Sequence, residues 1–122
     1  MTIIEELNNW LKKPEGINLE FKEAKHSFSE GSLSDYCAAL SNENGGKLIL
    51  GVSNKKQIVG TKVFEGNENR LSNKLLDDLK IRVDVEEVLL PEGRVLIFHI
   101  PGHSPGQPVR SKGAYHFPMR AG

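Results

Sequence analysis

Lys55, Lys56, Lys62, Arg110, Lys112 and Arg120 fall in turn-like text and beside glycines. Ammonium and guanidinium groups on such loops meet backbone phosphates as charge, with little reading of base identity. Ordinary surface charge is the competing explanation for all of them. Glu20 and Lys22 stand two apart in an alternating stretch and therefore share one strand face. Left to themselves they make a solvated ion pair worth under about 1 kcal/mol. Other chemistries fail on spacing. Gly45-Gly46-Lys47 follows a helix pattern and precedes a strand, the reverse of a phosphate-binding P-loop, and lacks its spacing. His26, His99, His103 and His116 are scattered, and Pro101 keeps His99 and His103 off a common helical face, so no metal is assigned. Cys37 lies on an apolar helix face and reads as a small core residue rather than a nucleophile. Tyr115 and Phe117 offer either a stacking surface for unpaired bases or plain packing, and Asn42 and Asn44 serve a turn.

The elements that must position these residues are legible from periodicity. Thr2 and Glu5 have capping-box spacing ahead of Ile3, Leu7, Trp10 and Leu11, which predicts a short amphipathic helix ended by Pro14. A helix that short needs Trp10 and its neighbours to pack on the sheet or on a partner. Ile17, Leu19 and Phe21 alternate with Asn18, Glu20 and Lys22 as a half-buried strand. After a polar loop over 25–31, Ser32 is the expected cap of a helix whose Leu33, Tyr36, Cys37 and Leu40 share one face. Asn44-Gly45-Gly46 supplies the positive φ that closes the helix and reverses the chain. Leu48 to Val52 then reads as a strand covered on both faces, with Gln57 to Gly60 as its hairpin partner.

Asn67 is the expected cap of a helix bearing Leu71, Leu75, Leu76 and Leu79. The strand predicted over 82–90 turns Val83, Val85 and Val88 inward, and its phase slip at Glu86-Glu87 suggests a bulge. Pro91-Glu92-Gly93 turns into a strongly apolar strand, Arg94 to Ile100, ended by Pro101. A loop over 102–108 and a small hairpin around Ser111-Lys112-Gly113 complete the chain. The fold class expected is therefore α/β (α+β), a mixed β-sheet with about three flanking helices.

At 122 residues the chain is expected to be one domain, 1–122, able to bury a core without disulfides. Hydrophobic residues at 38% and charged ones at 26% suit a globular domain, and no apolar run nears a membrane span, so no membrane partner is expected. No signal peptide is evident and the lone cysteine cannot bridge internally, which points to the cytoplasm. Lys plus Arg and Asp plus Glu each number 16, giving zero formal charge. A whole-domain basic footprint is thereby excluded, and any phosphate contact must come from a local patch.

Taken in order, Leu19-Glu20-Phe21-Lys22-Glu23-Ala24, the stretch from Cys37 to Gly46, Leu48 to Val52 and Ile58-Val59-Gly60 resemble the Schlafen AlbA_2 family, formerly a divergent AAA-4 DNA-binding domain. Val95 to Pro101, Gln107-Pro108-Val109, Tyr115 and Arg120-Ala121-Gly122 resemble its closing strand, proline loop and terminal Arg-x-Gly. The resemblance covers nearly the whole chain. It implies a DNA-binding domain at the front of bacterial transcriptional regulators or helicase-related proteins, with further domains of the same chain beyond it.

Schlafen relatives with RNase activity use two glutamates and an aspartate to hold a divalent metal. Glu15 and Glu20 are similar in spacing to that pair, and Lys22 resembles its accompanying lysine. The third acid's place holds Ser53-Asn54, and Asp35 or Glu43 is the alternative source of charge. Two carboxylates and a neutral amide would hold the ion weakly. The preferred expectation is a nucleic-acid-binding module, for DNA or RNA, needing no cofactor. A metal-dependent endoribonuclease using Mg or Mn at Glu15 and Glu20 is the first alternative. A protein-interaction module forming a homodimer is the second.

Overall fold

The computed structural model describes residues 2–13 and 18–102. Its order is α1 (Ile3–Leu11), β1 (Leu19–Lys22), α2 (Glu30–Asn42), β2 (Gly45–Leu50), α3 (Glu68–Leu79), β3 (Asp84–Leu90) and β4 (Gly93–Pro101). The strands form one four-stranded sheet in the order β1-β2-β4-β3. β1 and β2 run parallel, with α2 as the crossover that a parallel pair requires. β4 lies antiparallel between β2 and β3. The mixed sheet and three helices agree with the fold class expected from the sequence.

Helices cover both faces of the sheet. Leu33, Cys37 and Leu40 of α2 and Leu71 and Leu75 of α3 pack with Leu48, Leu50, Leu96 and Phe98 in one core. On the other face Leu7 of α1 is buried with Leu19, Phe21, Ile49, Val95 and Ile97, and Trp10 and Leu11 pack against them. β2 and β4 are thus apolar on both sides, which is why their sequences read as continuous rather than alternating runs. Truncating Leu48, which is wholly buried, to alanine would cost about 2–5 kcal/mol. Cys37 is also wholly buried, and burial pushes its thiol far above the usual range, so it belongs to the core as expected.

The local signals mostly act as expected. Thr2 Oγ1 accepts from the Glu5 amide at 3.2 Å and donates to the Glu5 carboxylate at 3.1 Å, fixing the start of α1. Asn44 and Gly45, at φ of 76° and 87°, close α2 and lead into β2. A Cβ on Gly45 would sit 2.6 Å from the Ile100 carbonyl oxygen, so close packing against β4 adds to the demand for glycine.

Four expectations need correction. α2 starts one turn earlier than Ser32, because Ser29 is the cap: its Oγ accepts from the Ser32 amide at 3.0 Å. Phe28, just ahead of that cap, packs on the same core as Leu33, so the apolar neighbour selects Ser29 over Ser32. Asn67 does precede α3, but its side chain bonds the Glu65 carbonyl at 3.4 Å and leaves the helix amides uncapped. The hairpin of 48–52 with 57–60 shrinks to one bridge, Val52 with Ile58. There Gly51 at φ 101° ends the extended run, and both Val59 and Gly60 donate to its carbonyl. Finally, β3 has no bulge: its register with β4 is unbroken from Asp84 to Leu90. The phase slip arises because Val83 and Val85 join the core beneath α2 and α3 while Val88 joins the one beneath α1. The predicted closing hairpin, with Tyr115 and Phe117, lies outside the described residues.

Candidate nucleic-acid interface

Glu20 and Lys22 project from β1 on the face opposite Leu19 and Phe21. Glu20 is buried, its carboxylate 3.9 Å from Lys22 Nζ, and Lys22 lies 5.1 Å from the centre of the Tyr36 ring. The pair is therefore a partly covered ion pair backed by an aromatic face rather than two solvated charges. Glu15 lies outside the described residues, and Asn54 is exposed in the turn after Ser53. Among the described residues no three His, Cys, Asp or Glu side chains gather to hold a metal, so Glu20, Asp35 and Glu43 make no such group.

The basic residues of the turns are distributed less evenly than the sequence suggests. Lys56 Nζ donates to the carbonyl of Lys13, just past the end of α1, and lies 5.9 Å from the centre of the Phe21 ring. Its ammonium thus satisfies the carbonyl end of a helix, where positive charge is favourable. One consequence is that the Lys55-Lys56 turn is held against the Lys12-Lys13 end of α1, across 43 residues of chain. Lys12, Lys13 and Lys55 are exposed, and none forms an ion pair among the described residues. Periodicity ends the first helix by Pro14 and singles out neither Lys12 nor Lys13. Their signal in the sequence was only the Lys-Lys doublet ahead of Pro14.

Lys62 stands at a second place. Its amide donates to the Lys25 carbonyl at 3.1 Å, and both side chains, with His26, border a groove of about 340 Å³. Arg94 lines the base of that groove but is largely buried and fully engaged. Its Nη1 donates to the carbonyls of Thr61 at 3.0 Å and Val63 at 2.8 Å, Nη2 to Glu68 at 3.3 Å, and Nε to Glu87 at 2.5 Å. Glu68 is held below the usual carboxylate range, first by its own backbone amide at the start of α3, against the opposing effect of burial, and further by Arg94. Arg94 is the residue the sequence reading missed, since it looked like the outward start of a strand. Arg110, Lys112 and Arg120 lie outside the described residues.

Two kinds of cation are therefore present: Arg94, consumed by structure, and exposed lysines without an ion pair among the described residues. Among the described residues no helix is long and apolar enough to cross a membrane.

The family model for Schlafen, AlbA_2 matches residues 15–122. No curated protein matches the chain. Among solved structures, the N-terminal domain of a helicase RecG-related protein from Nitrosomonas europaea superposes with a TM-score of 0.66 at 19% identity, over 99% of this chain and 86% of that one. A protein of Corynebacterium diphtheriae superposes with a TM-score of 0.64, also at 19% identity, over 88% of this chain. The chain spans only 23% of that protein's length. At such identity both likenesses establish the fold alone.

Proposed function

The chain belongs to the Schlafen AlbA_2 family, and on that premise we propose that it is a nucleic-acid-binding domain, serving a bacterial regulator or helicase-related protein of the cytoplasm, whose exposed lysines engage backbone phosphates. The observation that carries the reading is the bond from Lys56 to the Lys13 carbonyl, which ties the turn bearing Lys55 to the end of α1 bearing Lys12 and Lys13, all three exposed. Among the described residues none of the three has an ion-pair partner, and exposed cations of this kind attract a polyanion, which releases counterions on binding. The fold of the RecG-related neighbour supports the reading as context, since helicase-related proteins work on nucleic acid. Contact of this type positions a strand without reading its sequence.

Fluorescence anisotropy with labelled duplex DNA and RNA, repeated across a salt series, tests this. Affinity should fall steeply with salt, and replacing Lys12, Lys13 and Lys55 by alanine should flatten the dependence by about 2–3 in log-log slope. A dependence that is flat in the parent chain, or unchanged in the variant, overturns the assignment.

A further inference from the structure

The groove beside Lys62 is built differently from the lysine patch. Three separate segments are tied together at its base. Thr61 Oγ1 donates to the Ala24 carbonyl at 2.5 Å, the Lys62 amide to the Lys25 carbonyl at 3.1 Å, and Arg94 to the carbonyls of Thr61 and Val63. Gly60, at φ 82°, and Gly93 pass so closely that a Cβ on Gly93 would lie 2.7 Å from the Gly60 Cα. The groove is therefore preformed, and a ligand entering it need not pay to order these loops. Its volume of about 340 Å³ falls in the range of small-ligand sites.

The lining has two characters. Lys25 and Lys62 leave adjoining backbone positions, both side chains exposed, with His26 next to them. Neither lysine forms an ion pair among the described residues, although Glu65 also borders the groove. Arg94 adds little free charge, because Glu68 and Glu87 answer it. The lining also includes Val59 and Leu89, and Leu89 is 71% exposed, the most exposed of the large apolar side chains described. A preformed concavity lined by two lysines with no ion pair among the described residues and by an exposed leucine fits a ligand that is anionic at one end and flat or apolar at the other.

We propose that this groove takes a single nucleotide unit, its phosphate between Lys25 and Lys62 and its sugar and base against Leu89 and Val59. The unit is either the end of a bound strand or a free nucleotide. The inference deepens the nucleic-acid reading, yet it uses none of Lys12, Lys13 or Lys55, so the two stand or fall separately.

Isothermal titration of the full chain with adenosine monophosphate, a 5′-phosphorylated tetranucleotide and inorganic phosphate provides the test. The nucleotide or the tetranucleotide should bind more tightly than inorganic phosphate. The double variant Lys25→Ala/Lys62→Ala should weaken that binding about tenfold or more, the loss of one charge-assisted contact or more. Leu89→Ser should weaken the nucleotide ligands while leaving inorganic phosphate unchanged, a split that a merely electrostatic patch would not produce. All these side chains are exposed, so circular dichroism should show the fold intact. Preference for the tetranucleotide over the monophosphate identifies the strand as the source, and the reverse identifies free nucleotide. Absence of binding by either, or binding indifferent to both variants, overturns the inference. Loss of duplex affinity in the Lys12, Lys13 and Lys55 variant with nucleotide binding retained supports both readings; retention of both overturns only the phosphate-patch reading.

Discussion

Arg94 and the trio Lys12, Lys13 and Lys55 carry the same sign of charge, and the fold treats them in opposite ways. Arg94 is enclosed by two carboxylates and two backbone carbonyls, so its charge is neutralised and all three of its nitrogens donate. The segments that bear the lysines are tied by Lys56 through a carbonyl, which takes a hydrogen bond without cancelling charge. A net charge of zero therefore says little about surface potential in this chain. What matters is which cations are paired, and pairing here follows rigidity. The planar, five-donor guanidinium fills a fixed cage of acceptors, while lysines on helix ends and turns stay solvated.

That contrast can be broken most severely at Arg94. Arg94→Met keeps the aliphatic stem but leaves Glu68, Glu87 and the carbonyls of Thr61 and Val63 short of a donor, and should cost about 1–3 kcal/mol in urea unfolding, the partly solvated carboxylates contributing the smaller share. A loss under about 1 kcal/mol would mean that solvent replaces the guanidinium easily and that Arg94 belongs with the surface cations. Arg94→Lys should recover only part of the loss, since an ammonium cannot span acceptors on several sides. The lysine trio predicts the converse. Changing all three to alanine should leave unfolding within about 0.5 kcal/mol of the parent while lowering affinity for duplex about tenfold or more at moderate salt. If stability falls and affinity does not, the trio is structural and the contrast disappears.

How much of this was readable in the sequence depends on how far the partners lie apart. The cap at Thr2 acts over three residues, and the face of α2 through Leu33, Cys37 and Leu40 repeats at helical spacing; both stand in the structure as the pattern implied. Leu48 to Leu50 and Val95 to Ile100 announced burial on both faces by lacking alternation. Ser29 and Ser32 offer the same capping chemistry, and tertiary packing of Phe28 decided between them. The phase slip in β3 looked like a bulge because a single strand does not reveal that its two ends serve different cores. Arg94 was illegible for a similar reason. Its acceptors lie 7, 26, 31 and 33 residues away, beyond any local pattern. The site residues were legible as types, but Lys56 proved engaged by the Lys13 carbonyl, while Lys12, Lys13 and Lys25 gained their interest only from what the fold set beside them.

The smallest expected effect sharpens the account of Arg94 from the acid side. Glu68 has a lowered pKa in the folded chain, so in unfolding its carboxyl must rise toward the ordinary value of about 4.3. A group depressed by folding contributes stability that is fully present above the unfolded pKa and is lost as pH falls through the folded one. Stability should therefore be level near neutrality and decline once pH drops below about 4.3, with part of that decline belonging to Glu68. Glu68→Gln should flatten the decline by less than about 1 kcal/mol, because the group is partly solvated and screened. Arg94→Met should flatten it less than Glu68→Gln does, since the larger influence on Glu68 is its own amide at the start of α3 and that bond survives the loss of the arginine. Urea midpoints of the parent and both variants at a series of acid pH values would separate these. If Arg94→Met removed the whole Glu68 contribution, the arginine rather than the helix end would be the principal partner, and the guanidinium cage would be held together by charge more than by hydrogen-bond geometry.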